Sequence, residues 1–351
     1  MTRFTPRRDA IHGRGTQLDP PNRFDRLTIA ADPDLDSDPG EDETPRPQTQ
    51  FFRDATRSAI ARNQSPDVSF ETSINPYRGC EHGCVYCFAR PTHETLGFSA
   101  GLDFETKILV KQDLPELLRE ELADPRWKPQ VIAVSGVTDA YQPIERKLGI
   151  TRRCLGVLAE FRNPVMIVTK NALVARDEDL LGELARHRAA AVFVSVTSLD
   201  AALQRVMEPR ASPPARRLEA IEKLTAAGVP CGVLVAPVIP GLNDHEIPAI
   251  LAAVAKAGAV SASYVPLRLP YAVKDLFERW LEDHFPDRKQ KILGRIRSLR
   301  GGALNDPSFG SRLHGSGVFA DEIEKLFDLA RRRAGIGERR FDLSTEAFRR
   351  P

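Results

Sequence analysis

"PVMIVTKNALVARDEDLLGELARHRAAAVFVSVTS", residues 164–198, decides the fold. Its opening run, "PVMIVTK", is short, apolar and rich in β-branched residues, as a buried strand is. "DEDLLGELARHR" then places apolar residues at helical spacing. "AVFVSVTS" is a second continuous apolar strand. A strand buried on both faces, a helix and another such strand call for parallel pairing through a right-handed crossover.

The same unit recurs on either side. Upstream stand the strand "VSFETSI" (68–74), the short run "QVIAVSG" (130–136) and a helical stretch through "TRRCLGVLAEF" (151–161). Downstream, "PPARRLEAIEKLTAAG" (213–228) opens on prolines and ends at Gly228, as helices do. "CGVLVAPVIPG" (231–241), "DHEIPAILAAVAKAG" (244–258) and "SASYVPLRL" (261–269) complete the series. Six buried strands alternating with helices fit a doubly wound open sheet or a partial or full β/α barrel. In either architecture, chemistry gathers at the carboxyl ends of the strands. Ser135, Lys170, Ser195 and residues 237–240 fall there.

The flanks differ in character. Residues 1–60, with stretches such as "AADPDLDSDPGEDETPRPQTQ", lack the apolar surface to offset ordering entropy and are expected to be disordered or draped. Beyond 270, "KDLFERWLEDHF", "DRKQKILGRIRSLR" and "ADEIEKLFDLARRRAG" read as helices. The expected division is a tail over 1–60, an α/β core over 61–270 and a helical extension over 271–351.

Composition narrows the function classes. A chain of 351 residues with 42% hydrophobic residues buries a sizeable core. No apolar run approaches the roughly 20 residues that span a bilayer, so no membrane helix is expected. The basic N-terminus is followed by no apolar stretch, so it does not read as a secretory signal. A net charge of +2 does not by itself call for nucleic acid. Five irregularly spaced cysteines do not form a disulfide framework, which points to a reducing, cytoplasmic setting.

Three of those cysteines crowd into "RGCEHGCVYCFAR", residues 78–90: Cys80, Cys84 and Cys87. Three thiolates are one short of a closed tetrahedral site. Zinc would have to recruit His82 or a distant side chain. Cys154 sits in a helical pattern and Cys231 opens a strand, so both read as core residues. An iron–sulfur cubane held by three thiolates instead leaves one iron open to an outside ligand. The spacing Cys-x3-Cys-x2-Cys, after a first strand and before a β/α series, is a specific signal for it.

Here the sequence resembles the radical S-adenosylmethionine (SAM) superfamily. "CEHGCVYC" matches that family's Cys-x3-Cys-x-aromatic-Cys loop, with Tyr86 at the aromatic position. The resemblance spans residues 66–270 and implies the family's partial (β/α)6 barrel. "NPYRGCEHGCVYCFAR", "SGVTDAYQPIE", "IVTKN", "VSVTS" and "EPRASPPARRLEAI" look like an uncharacterised bacterial group related to spore photoproduct lyase.

The resemblance implies that Cys80, Cys84 and Cys87 hold a [4Fe–4S] cluster whose open iron takes the amino and carboxylate groups of SAM. It implies one-electron cleavage of SAM to methionine and a 5′-deoxyadenosyl radical, which takes hydrogen from a substrate that the sequence does not name. A reducing partner such as flavodoxin or ferredoxin is implied as well. The lyase lines its SAM site with a serine, a lysine and a serine after its second, third and fourth strands; Ser135, Lys170 and Ser195 match them. Lys170 would pair with the SAM carboxylate. Glu208 and Arg210 in "MEPRASPP" match an element that touches the SAM ribose or amine.

Other residues carry two readings each. Tyr86 supports adenine or packs beneath the loop. Asp139 and Glu145 contact SAM or the substrate, or are an Asp cap and a solvated glutamate before the second helix, the latter being the reading favoured for Glu145; Arg216 reads as a solvated arginine. Asn243 and Asp244 in "VIPGLND" read as caps of the next helix.

One departure stands out. The lyase has a hydrogen-donating cysteine just before the first of its serines, where this chain has Val134, so photoproduct repair is not carried over. "DRKQKILGRIRSLR" interleaves Arg288, Lys289, Lys291, Arg295, Arg297 and Arg300 with apolar residues, which gives nucleic acid weak support as a partner. "SFGSRLHGSG" (308–317) reads as a connector or a loop over the barrel mouth. A non-catalytic iron–sulfur carrier or sensor and a zinc-stabilised nucleic-acid-binding module are the alternatives from other classes.

Overall fold

The computed structural model describes residues 11, 13–24, 47–338 and 341–351. The expectation for residues 1–60 therefore falls in part on 1–10, 12 and 25–46, which lie outside the described residues.

The strands are β1 (Gln50–Arg53), β2 (Ala61–Arg62), β3 (Thr72–Ile74), β4 (Tyr77–Arg78), β5 (Lys107–Val110), β6 (Ile132–Val134), β7 (Val165–Thr169), β8 (Ala190–Ser195), β9 (Cys231–Val238) and β10 (Ser261–Pro266). The main sheet runs β10-β9-β8-β7-β6-β3-β2. Every neighbour pair from β3 to β10 is parallel, and β2 adds an antiparallel edge. Spatial order therefore follows chain order, without the reversal that marks a doubly wound sheet. With right-handed crossovers, such an order coils the strands about one axis. The chain forms the partial (β/α)6 barrel, with β2 and β10 as its two edges.

The crossover helices follow the apolar spacing. After the short α1 (Leu102–Thr106), α2 (Leu114–Ala123) and α3 (Glu145–Leu148) come α4 (Ile150–Phe161), α5 (Glu178–Arg186), α6 (Ala201–Met207), α7 (Pro214–Ala226) and α8 (Ile247–Lys256). α4 buries Ile150, Leu155, Leu158 and Phe161; α5 buries Leu181 and Leu184. α7 starts on Pro214, and Gly228, at φ +79°, lies just past its end. Cys154 and Cys231 are buried in the main core, as expected.

A small second sheet, β1-β5-β4, lies beside the cysteine loop. β5 and α2 occupy a stretch for which the sequence reading proposed no element.

The C-terminal helices α9 (Val273–His284), α10 (Lys289–Leu299) and α11 (Val318–Arg333) confirm the expected helical extension. They are packed into the molecule. α11 sets Phe327 against Tyr264 of β10, ring centres 4.7 Å apart. α9 and α10 build a second core with Cys84, Val85 and Tyr86, through Phe277, Trp280, Ile292 and Ile296.

The open side of the barrel is bridged. Arg300, at the end of α10, donates to the carbonyls of Pro266 and Leu267 after β10, and to those of Ser311 and Arg312. Arg312 pairs in turn with Asp67 in the β2–β3 connection, which also accepts from the Gly310 N–H at 2.7 Å. Among the described residues no helix is long and apolar enough to cross a membrane.

Candidate active site

The cysteine loop follows β4 and turns twice on glycine. Gly79 (φ +78°) and Gly83 (φ +67°) take backbone conformations that side chains disfavour. A Cβ on Gly83 would meet Glu105 Oε2 at 2.7 Å. Arg90 and Glu105, both with fully buried side chains, pair at 2.5 Å beneath the loop. Arg90 also donates to the Cys84 carbonyl at 3.0 Å and to the Gly101 carbonyl at 2.9 Å. Glu105 in turn accepts from the backbone N–H groups of Gly15 and Thr16, so the 13–24 segment lies against the loop. On the barrel side, Gln142 accepts from Glu81 N–H and donates to the Gly79 carbonyl.

Cys80 and Cys84 are buried, and Cys87 is partly so. Burial pushes the Cys84 thiol well up; the Glu208 carboxylate adds to this and Lys170 opposes it. Burial and then Cys80 push Cys87 up, against Arg90. Cys84 and Cys87 thus sit where losing their protons needs a cation. A metal supplies it, because the thiolate is the ligand form. Among the described residues no three His, Cys, Asp or Glu side chains group as ligands of a single metal ion, so the geometry adds nothing to the zinc reading. The donor set of three sulfurs fits an iron–sulfur cluster with one open position.

The strand ends bring the other expected residues to this loop. Lys170, just past β7, sets its Nζ 5.9 Å from the Tyr86 ring centre and 3.4 Å from the Ala236 carbonyl. Asp139 holds the backbone beneath it, accepting from Lys170 N–H at 2.7 Å, Thr169 Oγ1 at 2.8 Å and Tyr141 N–H at 2.8 Å. Burial pushes Asp139 up, but His82 and these N–H groups outweigh it and hold the carboxyl at about 2. Ser135 Oγ accepts from Ala140 N–H. Ser195 is buried, and its carbonyl accepts from Arg217. Arg210 pairs with Glu81 at 2.9 Å.

Tyr86 and Glu208 meet underneath. The Glu208 carboxylate accepts from Tyr86, from Thr197 Oγ1 and from Arg217, and neither it nor Arg217 reaches solvent. Burial pushes Glu208 up, yet Arg217 and Lys170, with the two hydroxyls, hold it at about 2.

His82 was weighed in the sequence only as a zinc ligand. It is buried, with Nδ1 3.4 Å from Asp139 and Nε2 3.1 Å from Asn171 Nδ2. Asn171 Oδ1 already accepts from Leu173 N–H and Ser212, so its NH2 group faces His82. Nδ1 donates to Asp139, and against the pull of burial that carboxylate, then Cys80, push the His82 pKa up to about 10.

Two expectations are corrected. Glu145 is fully buried, where it accepts from Tyr77 at 2.5 Å and from Arg176 at 2.9 Å behind β6. Asn243 stands at the N-cap position of the short 3-10 helix Asp244–Glu246, but its side chain makes no capping bond; it knits the turn after β9 through Ile239 N–H and the carbonyls of Thr197 and Pro237. Arg216 is exposed and pairs with Glu219, whereas its neighbour Arg217 carries the buried charge that composition hid.

The family model of the radical SAM superfamily matches residues 74–254. The chain belongs to the radical SAM superfamily. An uncharacterised protein of Mycobacterium tuberculosis is 37% identical over 259 residues, covering 72% of this chain and 75% of that protein. An uncharacterised protein of Methanocaldococcus jannaschii is 30% identical over 173 residues, 49% of this chain and 62% of that protein. In fold, this radical SAM protein is similar to spore photoproduct lyase complexed with dinucleoside spore photoproduct. That match has a TM-score of 0.58 at 18% identity, over 85% of this chain and 84% of the other. The chain is thus a radical SAM enzyme.

Proposed function

We propose that Cys80, Cys84 and Cys87 bind a [4Fe–4S] cluster at which SAM is reductively cleaved, and that hydrogen is then taken from a substrate held at the strand ends. The observation that carries this is the convergence of one three-thiol loop with Lys170. When bound, the cluster supplies the electron for cleavage, drawn from a reducing partner such as flavodoxin or ferredoxin.

The chain's own residues bind and orient. Lys170 holds the SAM carboxylate; its one hydrogen bond among the described residues, a long one to the Ala236 carbonyl, leaves the ammonium donors for a ligand. Ser135 and Ser195 stand at the ends of β6 and β8, on either side of β7 and Lys170. Asp139 acts through Lys170, whose backbone it fixes, and His82 steadies Asp139 in turn. Tyr86, seated on Glu208, forms a floor under the ligand, and Arg210 holds the cysteine loop through Glu81. The buried Arg90–Glu105 pair excludes water from the other side of the loop.

The test is anaerobic: reconstitution with iron and sulfide, reduction with dithionite, addition of SAM and assay for 5′-deoxyadenosine. Its formation, lost in Cys84→Ala, supports the proposal. A brown protein that binds no SAM counts for a carrier, and a colourless protein holding zinc counts against both.

A further inference from the structure

Three exposed aromatic rings, each backed by an arginine, stand around the same end of the barrel. Phe88 follows Cys87 directly and is 50% exposed, with the Arg268 guanidinium 5.6 Å from its ring centre. Tyr271 is 62% exposed, with Arg23 at 3.9 Å. Phe309 is 59% exposed, with Arg312 at 4.3 Å. They come from three separate segments: the cysteine loop, the chain after β10 and the bridge across the open side. They nevertheless form one surface. Arg268 lies three residues before Tyr271 in the chain after β10, and Arg312 stands close enough to Arg268 that, after burial, its charge is the next influence loosening the Arg268 proton.

The arginines are not equivalent. Arg23 is paired with Glu94 at 3.1 Å, and Arg312 is paired with Asp67. Arg268 makes no hydrogen bond or ion pair among the described residues, and its Nε is buried without a partner. The carboxylates whose charge reaches it are committed elsewhere: Asp67 to Arg312 and Gly310, Asp306 to Ser308 and Ser311. Arg268 as a whole is only half-buried, so the outer N–H groups of this unpaired guanidinium are left to meet an anion.

The basic helix α10, in contrast, is largely spent. Arg288 donates to the Gly241 carbonyl, Lys289 lies 3.7 Å from Glu282, Arg295 lies 3.8 Å from Asp244, and Arg300 holds four carbonyls.

We propose that this surface binds single-stranded nucleic acid, with Arg268 taking a backbone phosphate and Phe88, flanked by Phe309 and Tyr271, stacking unpaired bases beside the cysteine loop. Aromatic platforms interleaved with cations are how sequence-tolerant binders hold a single strand, because every base offers a π-face that a duplex hides. The placement beside Cys87 makes it the substrate face of the radical SAM centre. That meaning rests on the function proposed above, whereas the binding needs only the fold.

The test uses the full chain, iron-loaded under anaerobic conditions, with iron counted in every sample. Fluorescence anisotropy of a short labelled single-stranded oligonucleotide is read at about 50 and about 200 mM salt. Arg268→Gln is expected to weaken binding about ten-fold or more at the lower salt and to flatten the salt slope by roughly 0.7. Phe88→Ala and Phe309→Ala are expected to weaken it about five- to one-hundred-fold with the slope unchanged. Phe88→Trp should restore it, which separates stacking from a disturbed loop. Arg126→Gln, ahead of β6 at the opposite end of the barrel, should bind as the unaltered chain does. Absence of binding by the iron-loaded protein overturns the proposal, as does unaltered binding by Arg268→Gln. So does competition by inorganic polyphosphate as effective as that by unlabelled oligonucleotide. If 5′-deoxyadenosine forms but no strand binds, this inference alone fails. If strands bind in the expected pattern while SAM is never cleaved, it stands and the catalytic reading falls.

Discussion

Glu208→Gln removes one charge from a pair that never meets solvent. The glutamine keeps its shape and an acceptor for Tyr86 and Thr197, but leaves Arg217, 1% exposed, without a counter-charge. Breaking a buried pair in this way costs about 3–5 kcal/mol. Arg217 still donates to the carbonyls of Ser195 at 2.8 Å and Ser212 at 2.7 Å, which places the expected loss near the lower bound. For a chain of 351 residues, about 2.1 cal/mol/K of unfolding entropy per residue turns about 3 kcal/mol into a melting-point drop of about 4 °C. The assay is thermal unfolding of the iron-free chain by circular dichroism, alongside Arg217→Met and the double variant. If the charges act on each other, the double variant is less destabilised than the sum of the singles by about 2 kcal/mol. The pH dependence supplies a second check. The folded-state pKa of about 2 lies below the ordinary 4.5. The pair therefore stabilises the fold fully above about pH 4.5, and that contribution of about 3 kcal/mol fades as the pH falls towards 2. The melting advantage over Glu208→Gln should fade across the same window. Additive singles, or a Glu208→Gln melt within about a degree of the unaltered chain at neutral pH, would refute the reasoning.

Cys84→Ala should lose its iron and retain its far-ultraviolet dichroism, since the loop is held by Arg90, Gln142 and Glu81 independently of any metal. Loss of the whole fold would count against that placement. Gly83→Ala asks for a left-handed conformation and brings a Cβ to 2.7 Å from Glu105 Oε2; about 1–2 kcal/mol should be lost, with faster iron release to a chelator. Lys170→Met should weaken SAM binding about ten-fold or more, with little change in melting temperature; equal affinity in calorimetry would remove Lys170 from the site.

The sequence revealed those parts of the fold whose signals are local. Runs such as Val165–Thr169 and Ala190–Ser195 are buried on both faces, so their apolarity is continuous and their parallel pairing follows. The cysteines declared themselves by spacing. What stayed hidden depends on partners far along the chain. β1 and β5 are short, and their pairing joins residues 57 apart, Gln50 with Lys107. Glu145 read as solvated because charge ordinarily means water, Arg90, Glu105 and Arg217 drew no reading at all, and only the mutual placement of these charges with Glu208 makes their burial tolerable. The stacking surface was equally illegible, since Phe88, Tyr271 and Phe309 are isolated aromatics until the fold assembles them.

The cover on the cysteine loop has a practical consequence for anyone who would excise the domain. The recognisable stretch, 74–254, contains the three thiols but not all of what encloses them. One side of the loop rests on Gly15 and Thr16, some ninety residues upstream of their acceptor Glu105, and the other on α9 and α10, downstream of the last crossover. A chain trimmed to its family outline would keep its ligands and lose both walls of their chamber, leaving Cys84 and Tyr86 open to water and to oxygen. The unit that can be moved, fused or minimised without opening its cysteine loop is therefore larger than the unit that can be recognised.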